Sequence, residues 1–114
     1  MGAGELDAAV WVPEACTLPT ADQPLRVAEF DGLFAEAVRG VDRPEPNRLG
    51  LVLEPAPEVA ARAADLVVRE TACCSFFTFT LTATGGGLRL EVAAPPGHVE
   101  VVDALAARAA GVRG

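Results

Sequence analysis

Helical spacing appears in three stretches of the chain, where apolar side chains recur every three or four positions. These stretches are residues 25–39, 58–71 and 98–110. Their apolar positions are Val27, Phe30, Phe34 and Val38 in the first, Val59, Ala63, Leu66 and Val67 in the second, and Val99, Val102, Leu105, Ala106 and Ala109 in the third. We therefore predict three amphipathic helices, each with one face buried.

Large apolar side chains recur at every second position in residues 48–53, 76–84 and 88–93, which predicts three strands. The inward positions are Leu49, Leu51 and Leu53, then Phe77, Phe79 and Leu81, then Leu88, Leu90 and Val92. Gly85-Gly86-Gly87 joins the last two strands and predicts a hairpin turn. Val10-Trp11-Val12 predicts a further short strand, while Pro44 and Pro46 indicate a turn.

The predicted order of elements is β-α-β-α-β-β-α, which indicates the α+β class. Alternating strands leave one sheet face to solvent, so we expect a mixed or antiparallel sheet with the helices packed on one face. A chain of 114 residues has the length of one domain. We predict a single small domain over residues 10–114 and a flexible leader over residues 1–9.

Charge and hydropathy exclude several classes of partner. The formal charge of −7 argues against nucleic acid and against an anionic membrane surface. No apolar run reaches the roughly 20 residues of a membrane span, and no signal peptide is visible. These features predict a cytoplasmic protein. Three cysteines in a reducing compartment favour free thiols or metal ligands over a disulfide framework.

Two of the cysteines, Cys73 and Cys74, are adjacent and lie where a predicted helix meets a predicted strand. Thiolates select soft ions, so the candidate ligands are Hg(II), As(III), Cu(I) and Zn(II). Adjacent side chains diverge in a regular helix or strand, and only a turn or a helix end could aim both at one ion. Cys16 would add a third thiolate if its loop packs there, and His98 is the one imidazole that could serve as a further ligand. No organic cofactor is indicated.

The charges near these thiols favour a bound cation over a reactive nucleophile. A helix C-terminus carries negative potential, and Glu70 lies three residues before Cys73. Both features disfavour a spontaneous thiolate, whereas a bound cation deprotonates the thiol and gains from the same field. Arg26 or Arg69 could offset this negative field.

The segment Arg69-Glu70 to Cys73-Cys74-Ser75-Phe76-Phe77-Thr78-Phe79, followed by Leu88-Arg89-Leu90-Glu91-Val92 and Ala94-Pro95, resembles a small domain of heavy-metal-responsive MerR-type regulators. That domain forms a C-terminal extension there and also occurs as a stand-alone protein. Cys16-Thr17-Leu18 and Arg26 fit the same pattern. The resemblance covers most of residues 15–108, and its specific part is Glu-x-x-Cys-Cys-x-Phe-Phe. It implies a thiol-rich ligand domain linked to metal resistance; the DNA-binding helix-turn-helix of those regulators is not part of it.

Three functions remain open at this point. The favoured one is a protein that binds a thiophilic metal or metalloid ion for sequestration or sensing. The second is a thiol-dependent enzyme, acting in redox chemistry or in cleavage of a carbon–metal bond with Glu70 as the acid. The third is an interaction module, for example a homodimer that pairs its sheet edges. In that last case the cysteines are small core residues, His98 begins the last helix, and Glu70 pairs with an arginine or caps the backbone.

Overall fold

The computed structural model describes residues 23–73 and 77–113, with side chains described at 27–72 and 77–111. These residues form four antiparallel strands and three α-helices. The elements are α1 (Gln23–Ala37), β1 (Val38–Glu45), β2 (Arg48–Leu53), α2 (Pro57–Cys73), β3 (Thr78–Thr84), β4 (Gly87–Ala93), a 3₁₀ turn (Pro96–His98) and α3 (Val99–Arg113). The predicted α+β class is confirmed. None of the described helices is both long and apolar enough to span a membrane.

The strands lie in the order β1-β2-β4-β3, so β1 and β3 are the two edge strands within the described part of the chain. One inward row crosses all four strands and consists of Val41, Leu51, Leu90 and Leu81. The β3–β4 hairpin turns at Gly85 and Gly86, whose φ angles are 59° and 81°. A two-residue turn with positive φ at both positions suits the twist of a hairpin, and glycine adopts it without steric cost.

The three helices cover one face of the sheet, as the alternation predicts. Helix α1 contacts both α2 and α3, while α2 packs on β3 and α3 packs on β1 and β2. The largest fully buried side chains include Phe30, Phe34, Leu33, Leu49, Leu51, Leu53, Leu90 and Leu105. The opposite face carries threonines and charged residues, together with Val52, which is 41% exposed.

Strand β1 was not predicted from the sequence. The first helix ends at Ala37, two residues before its predicted end, and residues 38–45 continue as a strand that includes Pro44. Strand β1 tolerates Pro44 for two reasons. It is an edge strand, and Pro44 lies at the register irregularity between Asp42 and Glu45. The two irregularities in β1 break the alternation that would have indicated a strand. The turn that we predicted at Pro44 and Pro46 lies at residues 46–47.

The order of elements and the start of the last helix differ from the predictions. The described order of regular elements is α-β-β-α-β-β-α, because β1 was missed and the strand predicted at Val10–Val12 lies outside the described residues, as does the leader at 1–9. The last helix begins at Val99 rather than at His98, which belongs to the preceding 3₁₀ turn.

Candidate functional site

Glu70 is buried in the last turn of α2, with 1% of its surface exposed. It shares one side of the helix with Ala63, Leu66 and Val67, all of which are buried. Among the described side chains it is the one charged group in the interior. Burying a carboxylate lowers stability unless the group is paired, hydrogen-bonded or near a cation, which makes Glu70 a candidate functional residue.

Cys73 is the last residue of α2 and follows Glu70 by three positions. The helix runs two residues beyond its predicted end, and its last turn contains no basic residue. The partial negative charge of a helix C-terminus is therefore not offset from within α2. The side chain of Cys73 lies outside the described part of the structure, as do Cys74 and Cys16.

The end of α2 meets one particular end of the sheet. Ala93, the last residue of β4, pairs with Thr78, the first residue of β3, and with Arg48, the first residue of β2. Because only three residues lie between Cys73 and Phe77, the end of α2 and the start of β3 lie at this same end. We refer to it as the thiol end of the sheet.

Asn47 joins the turn between β1 and β2 to the thiol end through hydrogen bonds with Ala94. Its Nδ2 donates a hydrogen bond of 2.8 Å to the carbonyl oxygen of Ala94, and the backbone N–H of Ala94 donates to the carbonyl oxygen of Asn47 at 3.0 Å. Asn47 was not among the residues predicted from the sequence. Its position directly after Pro46 was the available signal, because asparagine is common in turns for its side-chain hydrogen bonds.

The two arginines considered near the thiols have different roles. Arg69 donates to both carboxylate oxygens of Glu29, at 3.1 and 3.0 Å, and to Asp65 at 3.1 and 2.9 Å. These carboxylates raise the pKa of Arg69 and hold its guanidinium between α1 and α2. Arg26 lies on α1 one turn before Glu29, so the antiparallel helices carry its backbone toward the thiol end; its side chain lies outside the described residues.

His98 follows β4 by five residues and is therefore placed near the thiol end. Its side chain is 43% exposed, and its Nδ1 is 3.9 Å from Oε2 of Glu100. The fold thus brings the backbone positions of Glu70, Cys73 and His98 to one end of the molecule. Among the side chains described at 27–72 and 77–111, no three His, Cys, Asp or Glu side chains converge as a complete metal site.

The C-terminus of α2 places partial negative charge at this end of the sheet. Glu70 is buried one turn before this terminus, and the neighbouring Arg69 is engaged by the carboxylates of Glu29 and Asp65. Thiols at such a position gain stability as thiolates when a metal ion is bound. Comparisons of the chain with known protein families, with curated proteins and with solved structures found no match.

Proposed function

We propose that this protein binds one thiophilic metal or metalloid ion through the thiolates of Cys73 and Cys74, with Cys16 as the third ligand. The observation that carries the proposal is the position of Cys73 at the end of α2, one turn beyond the buried carboxyl of Glu70. A helix end is the place where two adjacent side chains can turn toward the same ion.

The electrostatic potential at the end of α2 favours ion binding over catalysis. A nucleophilic thiolate would be opposed by Glu70 and by the negative end of α2, whereas a cation is attracted by both. The net charge of −7 acts in the same direction. The candidate ions are Hg(II), As(III), Cu(I) and Zn(II), since these prefer sulfur ligands.

The remaining residues of the thiol end have supporting roles in this proposal. Glu70 stabilises the positive charge of the ion without ligating it, His98 is available as a further ligand, and Arg26 limits the accumulated negative charge. A cytoplasmic location would keep the thiols reduced. The resemblance to the extension of MerR-type regulators supports sequestration or sensing as the role of the bound ion.

A titration of the reduced, metal-free protein tests the proposal. Each of the four ions is added while ultraviolet absorbance and the thermal midpoint are recorded together. We expect a thiolate-to-metal absorption band that saturates near one ion per chain and a midpoint that rises with the ion, as linkage requires. Cys73→Ser or Cys74→Ser should abolish both responses.

Glu70→Gln separates the proposed electrostatic role from a structural one. We expect it to weaken ion affinity by about tenfold, the lower range for outer-sphere substitutions at metal sites. Glu58→Gln removes a carboxylate from the exposed first turn of the same helix and should leave affinity unchanged. The proposal is wrong if no ion gives a response and all three thiols resist alkylation until the protein unfolds, because the cysteines are then core residues.

A further inference from the structure

The two edges of the sheet differ in their protection against pairing. β1 contains Pro44, two register irregularities and the charged residues Arg39, Asp42, Arg43 and Glu45. These are the features by which natural sheets prevent an edge strand from accepting another strand. β3, the other edge, has the sequence TFTLTAT over seven residues, with no proline, no charge and no irregularity in its pairing with β4.

The flank of α2 beside β3 is also uncharged. Arg62 and Arg69 bind Glu36 and Glu29 of α1, which fixes the side of α2 that faces α1. The opposite side carries Ala60, Ala64, Val68 and Thr71, spaced as one helical face. Because α2 packs on β3, and β3 is an edge strand among the described residues, this side of α2 lies over that edge.

These features form one continuous uncharged surface, which we call the β3 edge surface. It comprises β3 and the α2 residues Ala60, Ala64, Val68 and Thr71. Val68 is 66% exposed, and Phe79 and Leu81 are only partly buried. No charged residue occurs between Thr71 and Leu88, in a chain whose net charge is −7. Two copies of such a chain repel each other least where they meet through a neutral surface.

From these observations we infer that a second copy of this chain pairs along β3, forming a two-fold dimer with a continuous eight-stranded sheet. Antiparallel pairing centred on Leu81 places Leu81 against its copy and Phe79 against Ala83. On the outer face it places Thr80 opposite Thr82 and Thr78 opposite Thr84, and such threonine pairs stabilise cross-strand contacts. The small side chains of Ala60 and Ala64 allow the two α2 helices to approach each other. This inference does not depend on the proposed metal site.

Sedimentation or light scattering of the full chain measures the expected mass, which is twice the 11.8 kDa of one chain. Thr80→Glu with Thr82→Glu places like charges opposite each other at two symmetric positions. Both threonines are exposed, so the monomer should keep its fold. We expect this variant to dissociate at least about tenfold more readily. The matched control is Ala107→Glu with Ala110→Glu, which adds the same charge to the exposed side of α3 and should dimerise like the unmodified chain.

Charge complementation makes the test specific to this register. Thr80→Lys with Thr82→Lys should also be monomeric, and an equimolar mixture of the lysine and glutamate variants should form a heterodimer. Specific interfaces of standard size are assembled at a protein concentration of about 100 μM. The inference is overturned if the chain is still monomeric at that concentration. So does a dimer that both charged variants retain. Hydrogen exchange that protects every β3 amide in a monomer would instead assign the edge to another segment of this chain, and would also overturn it.

Discussion

Arg89 of β4 forms a bidentate salt bridge with Asp42 of β1, across the intervening strand β2. Its Nη1 lies 2.7 Å from Oδ2 of Asp42, and its Nη2 lies 2.8 Å from Oδ1. Gly50 of β2 lies beneath the pair: it is the register partner of Asp42, and the side chain of Arg89 reaches over it from the position opposite Val52. A Cβ atom at Gly50 would come within 2.7 Å of Cζ of Arg89. The missing side chain therefore allows a charge pair to link non-adjacent strands.

The first prediction concerns Gly50→Ala. The backbone of Gly50 does not have a positive φ, so alanine is compatible with the strand itself. Its methyl group would displace the guanidinium of Arg89 and break the pair with Asp42. We expect a loss of about 0.2–1 kcal/mol in the free energy of unfolding, the usual range for an exposed ion pair. Urea denaturation of the two proteins measures the difference.

The control is the same substitution in an Asp42→Asn background, where the ion pair is already absent. There, Gly50→Ala should be neutral or should stabilise the protein by about 0.4–1 kcal/mol, because alanine restricts the unfolded chain. The sign of the effect should therefore change between the two backgrounds. If Gly50→Ala has equal effects in both, steric overlap with the ion pair is not what selects glycine here.

The second prediction is a pH dependence from the same pair. The hydrogen bond from Arg89 lowers the pKa of Asp42 below its ordinary value of 3.8, since it favours the charged carboxylate. A lowered pKa in the folded state contributes stability that is complete above the unfolded pKa and is lost as pH falls through the folded one. The unfolding free energies of the original chain and Asp42→Asn should differ at pH 6 and converge below pH 3.8. If the difference in unfolding free energy persists unchanged at low pH, the ion pair between Asp42 and Arg89 is not its cause.

The strands that alternate without interruption were predictable from the sequence, whereas β1 was not. Leu88, Leu90 and Val92 follow one another at every second position, so period alone identifies their strand. In β1 only Val38 and Val41 are apolar and turned to the helices, and an irregularity between Val38 and Gly40 breaks their period. Pairing with the strongly alternating β2 determines the structure of these residues, and that long-range effect has no local signature.

The candidate site was predictable in part. Glu70 follows Leu66 by four residues and Ala63 by seven, and this spacing already places it on the buried side of α2. The pairing of Arg69 with Glu29 could not be predicted, because Glu29 lies 40 residues earlier on another helix. The contact between Asn47 and Ala94 joins residues 47 positions apart and depends on the register of β2 with β4.

The third prediction distinguishes the two faces of the sheet at neighbouring positions. Leu51 is fully buried at the centre of the inward row, so Leu51→Ala should lower the free energy of unfolding by about 2–5 kcal/mol through lost burial and a cavity. Val52 is 41% exposed on the outer face, and Val52→Thr should change it by less than about 0.5 kcal/mol. Chemical denaturation of both variants checks this. Comparable losses would contradict the assigned register, because a slip of one residue exchanges the two faces.

The last prediction concerns the attachment of the β1–β2 turn to the thiol end. Asn47→Ala removes the donor to the carbonyl oxygen of Ala94, a residue that is only 5% exposed. We expect a loss of about 1–3 kcal/mol, because a buried acceptor is left without this side-chain partner. Amide exchange should accelerate at Ala94 and at the start of β3 before it does so at the Gly85-Gly86 hairpin, which lies at the opposite end of the sheet.

Pro46→Ala is the matched control, since it alters the neighbouring turn residue while leaving the side chain of Asn47 in place. Arg43 donates to the carbonyl oxygen of residue 46, which alanine retains. Exchange at Ala94 should therefore stay slow in this variant. Equal acceleration in both variants would mean that turn rigidity, rather than the Asn47 hydrogen bond, holds the thiol end together. Acceleration in Asn47→Ala alone would identify Asn47 as the residue that orders the strand ends beside Cys73.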